Sequence, residues 1–327
     1  MKTDWKSVIL PSYEIRKSRN QKSAFIDMLR EHFGDRLTVE EEKGGFKSRN
    51  IAIGDPEKAK IVFTAHYDTC AVMPFPNFIT PRNIFIYLIY QLIITAVLLL
   101  PPFLLAAAAA YLSRDLNELI GLILTELSLI VPLFLEMWLI MAGPANRHTA
   151  NDNTSGVVTV LTLADKLDKC PDTAFILFDH EEIGLVGSAS YAKKHPNVKK
   201  NTLIVNLDCV SDGDNILMVY SKNASQTDFL SHVKADAKAI LGEYSKASVI
   251  VPSSKAFYPS DQAAFKKTVA VAALKKAPVI GLYMDKIHTP KDTSFDERNI
   301  NALVSLYIAA VEKCFPIYVD SEIKSEN

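Results

Sequence analysis

Cysteine is scarce and scattered: four in 327 residues, at positions 70, 170, 209 and 314, with no Cys-x-x-Cys pair. That excludes a cysteine-rich zinc module and a disulfide scaffold. Glycine and proline together (12 and 16) are under a tenth of the chain, which excludes collagen-like and low-complexity sequence. Neither sign of charge is in excess: 36 Lys+Arg against 37 Asp+Glu leaves −1. A polybasic nucleic-acid binder and an acidic disordered tail are both ruled out, so no nucleic-acid partner is expected. No internal repeat is found. The opening MKTDWKSVILPSYEIRK has no apolar core and does not read as a secretory signal.

What the chain has is apolar sequence, 49% overall, concentrated in one place. Ile84 to Leu112 is a run of 29 residues without a charge. A hydrocarbon core of roughly 30 Å needs about 20 helical residues, so this run is long enough to span a membrane. Pro101-Pro102 is expected to kink or split it. A second stretch, 118–143, carries Glu118, Glu126 and Glu136. A glutamate near the centre of a span costs on the order of 2.5–3.5 kcal/mol and therefore needs a reason. Glu118 and Glu136 share a helix face, and Glu126 lies about 80° around from them. These acids point to the first helix, to water, or to a second copy of the chain, a homo-oligomer through the spans.

The five-residue linker Ser113–Asn117 makes the two spans an antiparallel hairpin whose ends return to one side. Very apolar soluble helices buried in an oligomer are the other reading. They fit the glutamates but not the uncharged run. Arg82 and Arg147 flank the hairpin and Arg114 is at its tip. This thin positive charge, with the missing signal, leans toward a main domain on the cytosolic side of the membrane.

Outside the hairpin, strands alternate with helices. Helices are predicted at 18–33, 155–167, 188–194, 228–241 and 299–314. Strands are predicted at 37–41, 49–53, 60–65, 173–178, 202–208, 216–220, 248–251, 269–274 and 279–283. That order implies an α/β domain with helices on both faces of a sheet. Removing residues 74–144 leaves about 256, a normal size for one such domain. The hairpin thus reads as an insertion in one of its loops: residues 1–77 and 145–327 form the domain, and 78–144 the insertion. Loops at strand ends are where sites are built.

Five segments at such ends carry unusual polar residues: His66-Tyr67-Asp68, Asn151-Asp152-Asn153-Thr154-Ser155-Gly156, Asp179-His180-Glu181-Glu182, Asn206-Leu207-Asp208 and His288-Thr289-Pro290-Lys291-Asp292-Thr293. Each has a bland reading taken singly: a surface pair, a helix cap, a solvated loop. Together, two imidazoles and several carboxylates on separate strand ends suit a dinuclear site. Nitrogen and oxygen donors fit zinc, and also cobalt or manganese. The count allows His66, Asp208 and a bridging Asp152 on one ion, and His288, Glu182 and the same Asp152 on the other. Asp68 is left to hold the His66 imidazole, and Glu181 to act as general base on water.

This ordered set closely resembles the co-catalytic zinc aminopeptidases, the family of bacterial leucyl aminopeptidases, aminopeptidase Y and glutamate carboxypeptidase II. Pro259-Ser260-Asp261-Gln262-Ala263-Ala264-Phe265 also looks like that family's stretch before its last ligand. The resemblance implies a phosphorylase/hydrolase-like mixed sheet sandwiched by helices, two Zn2+ ions, a peptide substrate, and the ligand and base assignment just given. There are departures. His66 and Asp152 are separated by a short loop in the family and by 86 positions here, a gap the hairpin fills. A tyrosine that often precedes the last histidine is Ile287, leaving Tyr258 as a candidate substitute. Relatives that cyclise N-terminal glutamine lack the equivalent of His66-x-Asp68, which is present here.

The expectation is a membrane-anchored dinuclear zinc aminopeptidase, with the bilayer as a partner through the hairpin. It would cleave N-terminal peptide bonds, including those of hydrophobic, membrane-derived peptides. Hydrolysis of another amide, such as an acyl-amino acid, and a catalytically silent scaffold are the alternatives.

Overall fold

A computed structural model describes residues 3–42 and 47–316. In chain order the main elements are α1 (Trp5–Ser12), α2 (Arg19–Phe33), β1 (Leu37–Glu41), β2 (Arg49–Ile53), β3 (Ile61–His66), α3 (Ile84–Leu112), α4 (Glu118–Ala142) and α5 (Gly156–Lys166). They continue as β4 (Thr173–Phe178), α6 (Val186–Lys194), α7 (Pro196–Asn201), β5 (Leu203–Leu207), β6 (Asn215–Tyr220), α8 (Asp228–Glu243), β7 (Ala247–Pro252), β8 (Thr268–Ala277), β9 (Gly281–Tyr283) and α9 (Glu297–Cys314).

One mixed sheet runs β1-β2-β4-β3-β5-β8-β6-β7, with β9 paired to the end of β8. Its centre, β4-β3-β5-β8, is parallel. β2 and β6 join it antiparallel. The central strands are apolar on both sides because both faces are covered. Phe63, Phe175, Val205 and Val271 point to one core, shared with Phe25, Leu161, Leu230 and Leu303 of α2, α5, α8 and α9. Val62, Ile176 and Ile204 point the other way, against Tyr191 and Val198 of α6 and α7. The mixed α/β sandwich expected from the sequence is thus present.

Two helices were not anticipated. α1 contains Pro11 and buries only Trp5 and Ile9, and α7 is six residues long. Neither offers enough periodic sequence to read. The last strand is shorter than predicted, because Val279 has φ 69° and is 91% exposed.

α3 runs through Pro101-Pro102 without a break, and α3 and α4 pack mainly against each other. Both are long and apolar enough to cross a membrane, and they expose Phe85, Leu92, Leu112 and Phe134. The stem beneath them is tied to the domain. Ala71 pairs with Ala145 and Ile79 with Met284. Met73 N donates to His288 O at 2.8 Å and Asn77 N to Ile287 O at 3.2 Å. An aromatic group gathers where α3 leaves the domain: Phe78 meets Tyr90 and Tyr283, and Tyr87 meets Phe257.

Candidate metal centre

The parallel strands end together, so the loops after β3, β4 and β5 face one another. β3 ends on His66. The turn after β4 carries Glu181 and Glu182, β5 runs into Asp208, and Asp152 precedes α5. The loop after β9 brings His288. The structure therefore brings all seven predicted side chains into one cluster.

Asp152 lies at its centre and is not a helix cap. Its Oδ1 is 3.3 Å from His66 Nε2 and its Oδ2 is 3.2 Å from His288 Nε2. Asp208 Oδ1 lies 3.5 Å from the first imidazole, and Glu182 Oε2 lies 3.3 Å from the second. One donor atom each from His66, Asp152 and Asp208 lies within 4.8 Å of the others, as is also true of His66, Glu181 and Glu182. Five carboxylates meet here, and Glu182 Oε1 is buried with no hydrogen-bond partner. A bare buried acceptor is costly unless a cation completes it. The donor set and this open oxygen fit divalent metal ions.

Charge in the site follows from that crowding. Burial opposes protonation of His66, yet Glu181, Asp152, Asp208 and Asp68 outweigh it and push its pKa well above the usual value. Burial, with the charge of neighbouring Glu182, pushes Glu181 well above the ordinary carboxylate range. A buried carboxyl pushed up in this way is of the kind found at functional sites.

Asp68 does more than face the imidazole. Its main-chain oxygen faces His66 Nδ1 at 3.1 Å, while its carboxylate is 3.6 Å away. The two carboxylate oxygens also accept from Glu181 N and Glu182 N, at 3.1 and 3.2 Å. Asp68 thus fixes the backbone that carries both glutamates. Burial would raise its pKa, but His66, Lys22 and these amides bring it down to about 2.

The sequence left several supports unassigned. Asp292 accepts from Asn151 N at 3.0 Å and Asp152 N at 2.9 Å. Burial and the charge of Asp152 push it up to about 7. Asn151 Oδ1 accepts from Ser211 N and Asp212 N, and Asn153 Oδ1 from Gly156 N and Cys209 N. These amides lace the Asp152 loop to the Asp208 loop. Gly156 allows the approach, since a Cβ there would lie 2.3 Å from Leu207 O. Arg16, fully buried, donates to Tyr67 O and Thr154 Oγ1 and so ties the His66 segment to the Asp152 loop. Asp261 is buried with both oxygens unpaired, and burial pushes it up to about 7. Only position within the five motifs hinted at Asp292 and the asparagines; nothing singled out Arg16. The hydroxyl of Tyr258, the candidate substitute for the missing tyrosine, donates to Asp208 O at 3.1 Å.

Left-handed backbone clusters at the same place. His180, Leu185, Cys209 and His288 have φ between 58° and 65°, a conformation costly for non-glycine residues that persists where surrounding structure enforces it.

The profile of peptidase family M28 matches residues 138–310, more than half of the chain. The chain belongs to peptidase family M28. This M28 member resembles a Zn-dependent exopeptidase from Parabacteroides distasonis, at 15% identity and a TM-score of 0.55, over 95% of this chain and 99% of that one. It also resembles the glutaminyl cyclase of Porphyromonas gingivalis, at 16% identity and a TM-score of 0.54, over 94% and 95%. At such identities the likeness is one of fold. Against an aminopeptidase from Aneurinibacillus sp., at 18% identity and a TM-score of 0.43, 81% of this chain is covered and it spans about half (47%) of that protein. A search of curated proteins gives no match. The resemblance to the co-catalytic zinc aminopeptidases is thus borne out at the level of the family.

Proposed function

We propose that this M28 member is a membrane-anchored dinuclear zinc aminopeptidase. The observation that carries the reading is Asp152, which turns one oxygen toward each of two imidazoles. His66, Asp208 and Asp152 would hold one ion, and His288, Glu182 and Asp152 the other. Bound there, the zinc ions would polarise the scissile carbonyl and acidify the attacking water. Glu181 takes the proton from that water and returns it to the leaving amine. Asp68 keeps Glu181 and Glu182 in register by gripping their amides. The presence of His66 beside Asp152 and Asp208 supports hydrolysis over glutamine cyclisation.

The test is Glu181→Gln in the full chain. It should keep the wild-type metal-to-protein ratio and lose about 10²–10⁴-fold in aminoacyl-nitroanilide hydrolysis. Retained activity would overturn the assigned base. A parallel panel of peptides and acyl-amino acids fixes the class of amide.

In this reading residues 78–144 are the anchor, with α3 and α4 as spans and the catalytic domain on one side of the bilayer. The aromatic group of Phe78, Tyr87, Tyr90, Phe257 and Tyr283 sits where α3 leaves the domain, as interfacial aromatics do. A cavity of about 510 Å³ lies between the base of α4 and the site, lined by Met141–Gly143, Asp68 and Ile183 together with Lys17, Gln21 and Lys22. Its position supports hydrophobic, membrane-derived peptides as substrates.

A further inference from the structure

Cys70 lies four residues after His66 and is 2% exposed. Its Sγ, one oxygen of Glu182 and one nitrogen of His288 all lie within 4.8 Å of one another. This is the half of the site opposite His66 and Asp208. The backbone fixes the thiol there. Asn146 N donates to Cys70 O at 3.1 Å, Ala71 pairs with Ala145, and Val72 N donates to Pro144 O at 2.8 Å. Cys70 is therefore clamped in the stem of the hairpin, which also holds the His288 loop through Met73. A second observation points to a cation at the same place. Glu182 Oε1 is buried without a partner, on a side chain only 5% exposed, while Oε2 faces His288.

We propose that Cys70 is a sulfur ligand at the metal position served by His288 and Glu182. The proposal rests on the two-ion reading above and extends it. With Asp152, Glu182 and His288 it supplies four protein donors, and zinc can expand to five-coordinate to admit water. The other position keeps only nitrogen and oxygen donors from His66, Asp208 and Asp152. The two positions are then chemically unequal. A thiolate is soft and favours zinc or cobalt over manganese or magnesium. The sulfur-bearing position should fill first and empty last, and the thiol gives up its proton to solvent as the ion binds.

The test uses the full chain in detergent, stripped of metal and titrated with Co2+. Visible absorption reports cobalt at either position, and a near-ultraviolet sulfur-to-cobalt charge-transfer band reports a thiolate ligand. The band is expected to grow with the first equivalent and then stop. It should be lost in both Cys70→Ala and Cys70→Ser. It should persist in Cys209→Ala, which removes the neighbouring thiol 3.2 Å from Asp208 Oδ1. Visible absorption without the charge-transfer band in the wild type would overturn the proposal and leave the two-ion reading standing. So would a band that survives loss of Cys70 or vanishes with Cys209. No cobalt absorption of any kind in the wild type would sink both readings. The wild-type spectrum decides even where a variant fails to fold.

Discussion

Asp292 shows what single side chains contribute beyond the cluster itself. It touches no imidazole, yet it receives two consecutive amides and so sets where Asp152 stands. Asparagine at this position offers one acceptor where two amides need one each, and turns an NH2 toward the other. Asp292→Asn should weaken metal binding about 10–100-fold, the usual effect of losing a support behind a ligand. Competition against a chromophoric chelator measures it, and unchanged affinity would mean that the loop is held by Asn151 and Asn153 alone. The seven clustered side chains were legible in the sequence because each sits in a short polar motif that follows a strand or opens a helix. Arg16 and Cys70 were not. Arg16 gains its meaning from Thr154, 138 residues away, and Cys70 from Glu182 and His288. Such pairings are products of the sheet order, which no local pattern encodes.

Among the elements, α9 is the best defined by its start. Asp296 caps it, accepting from Arg298 N, and also receives the buried Lys246 ammonium and the Arg298 guanidinium. Its pKa is held below the usual range, first by the bond from Arg298 and also by Lys246, against the opposing effect of burial. A carboxylate whose folded pKa is depressed stabilises above its unfolded pKa of about 3.9, and that stability is lost as pH falls through the folded value. Asp296→Ala should cost about 1–2 kcal/mol at neutral pH, as for loss of a helix cap. It should also lose less further stability than the wild type between neutral pH and about pH 3. Urea unfolding followed by circular dichroism reads both, and identical acid slopes would show that this carboxylate is not a determinant. The long elements were readable because their period and caps agree; Ser18 and Gln21 form the capping box of α2 with Gly34 after its end. α1 and α7 escaped because tertiary packing, and not a repeating apolar pattern, holds them.

On the scale of the whole molecule, the hairpin divides the chain in sequence but not in structure. A cut at residue 78 would remove the pairing of Ile79 with Met284 and disturb the loop of His288. Replacing only residues 84–142 with a short glycine-serine linker leaves the stem intact. That variant should be soluble without detergent and hydrolyse a soluble aminoacyl-nitroanilide within about twofold of the wild type. It should be impaired toward hydrophobic peptides presented in vesicles. Equal rates on vesicle-borne peptides would reduce the hairpin to a tether. The alternation of strands and helices was legible from their spacing. The bonding of the stem to the loop of His288 was not, because it joins segments more than 200 residues apart.

If the hairpin spans a bilayer as proposed, that bonding would make it a lever. Met73 and Asn77 hang directly from the backbone of His288 and Ile287, and the far end of the same segment is a rod about 43 Å long at 1.5 Å per residue. In the proposed membrane-anchored state, a rod longer than the surrounding hydrocarbon would tilt to hide its excess, and a tilt about the stem would pull on the histidine. Turnover of a soluble substrate should therefore vary with lipid acyl-chain length in reconstituted vesicles, and the linker-replaced variant should not respond. Acyl-chain independence in the full chain would mean that the stem absorbs the strain before it reaches the loop. Where the dependence holds, bilayer thickness acts on this peptidase as a regulator with no ligand of its own.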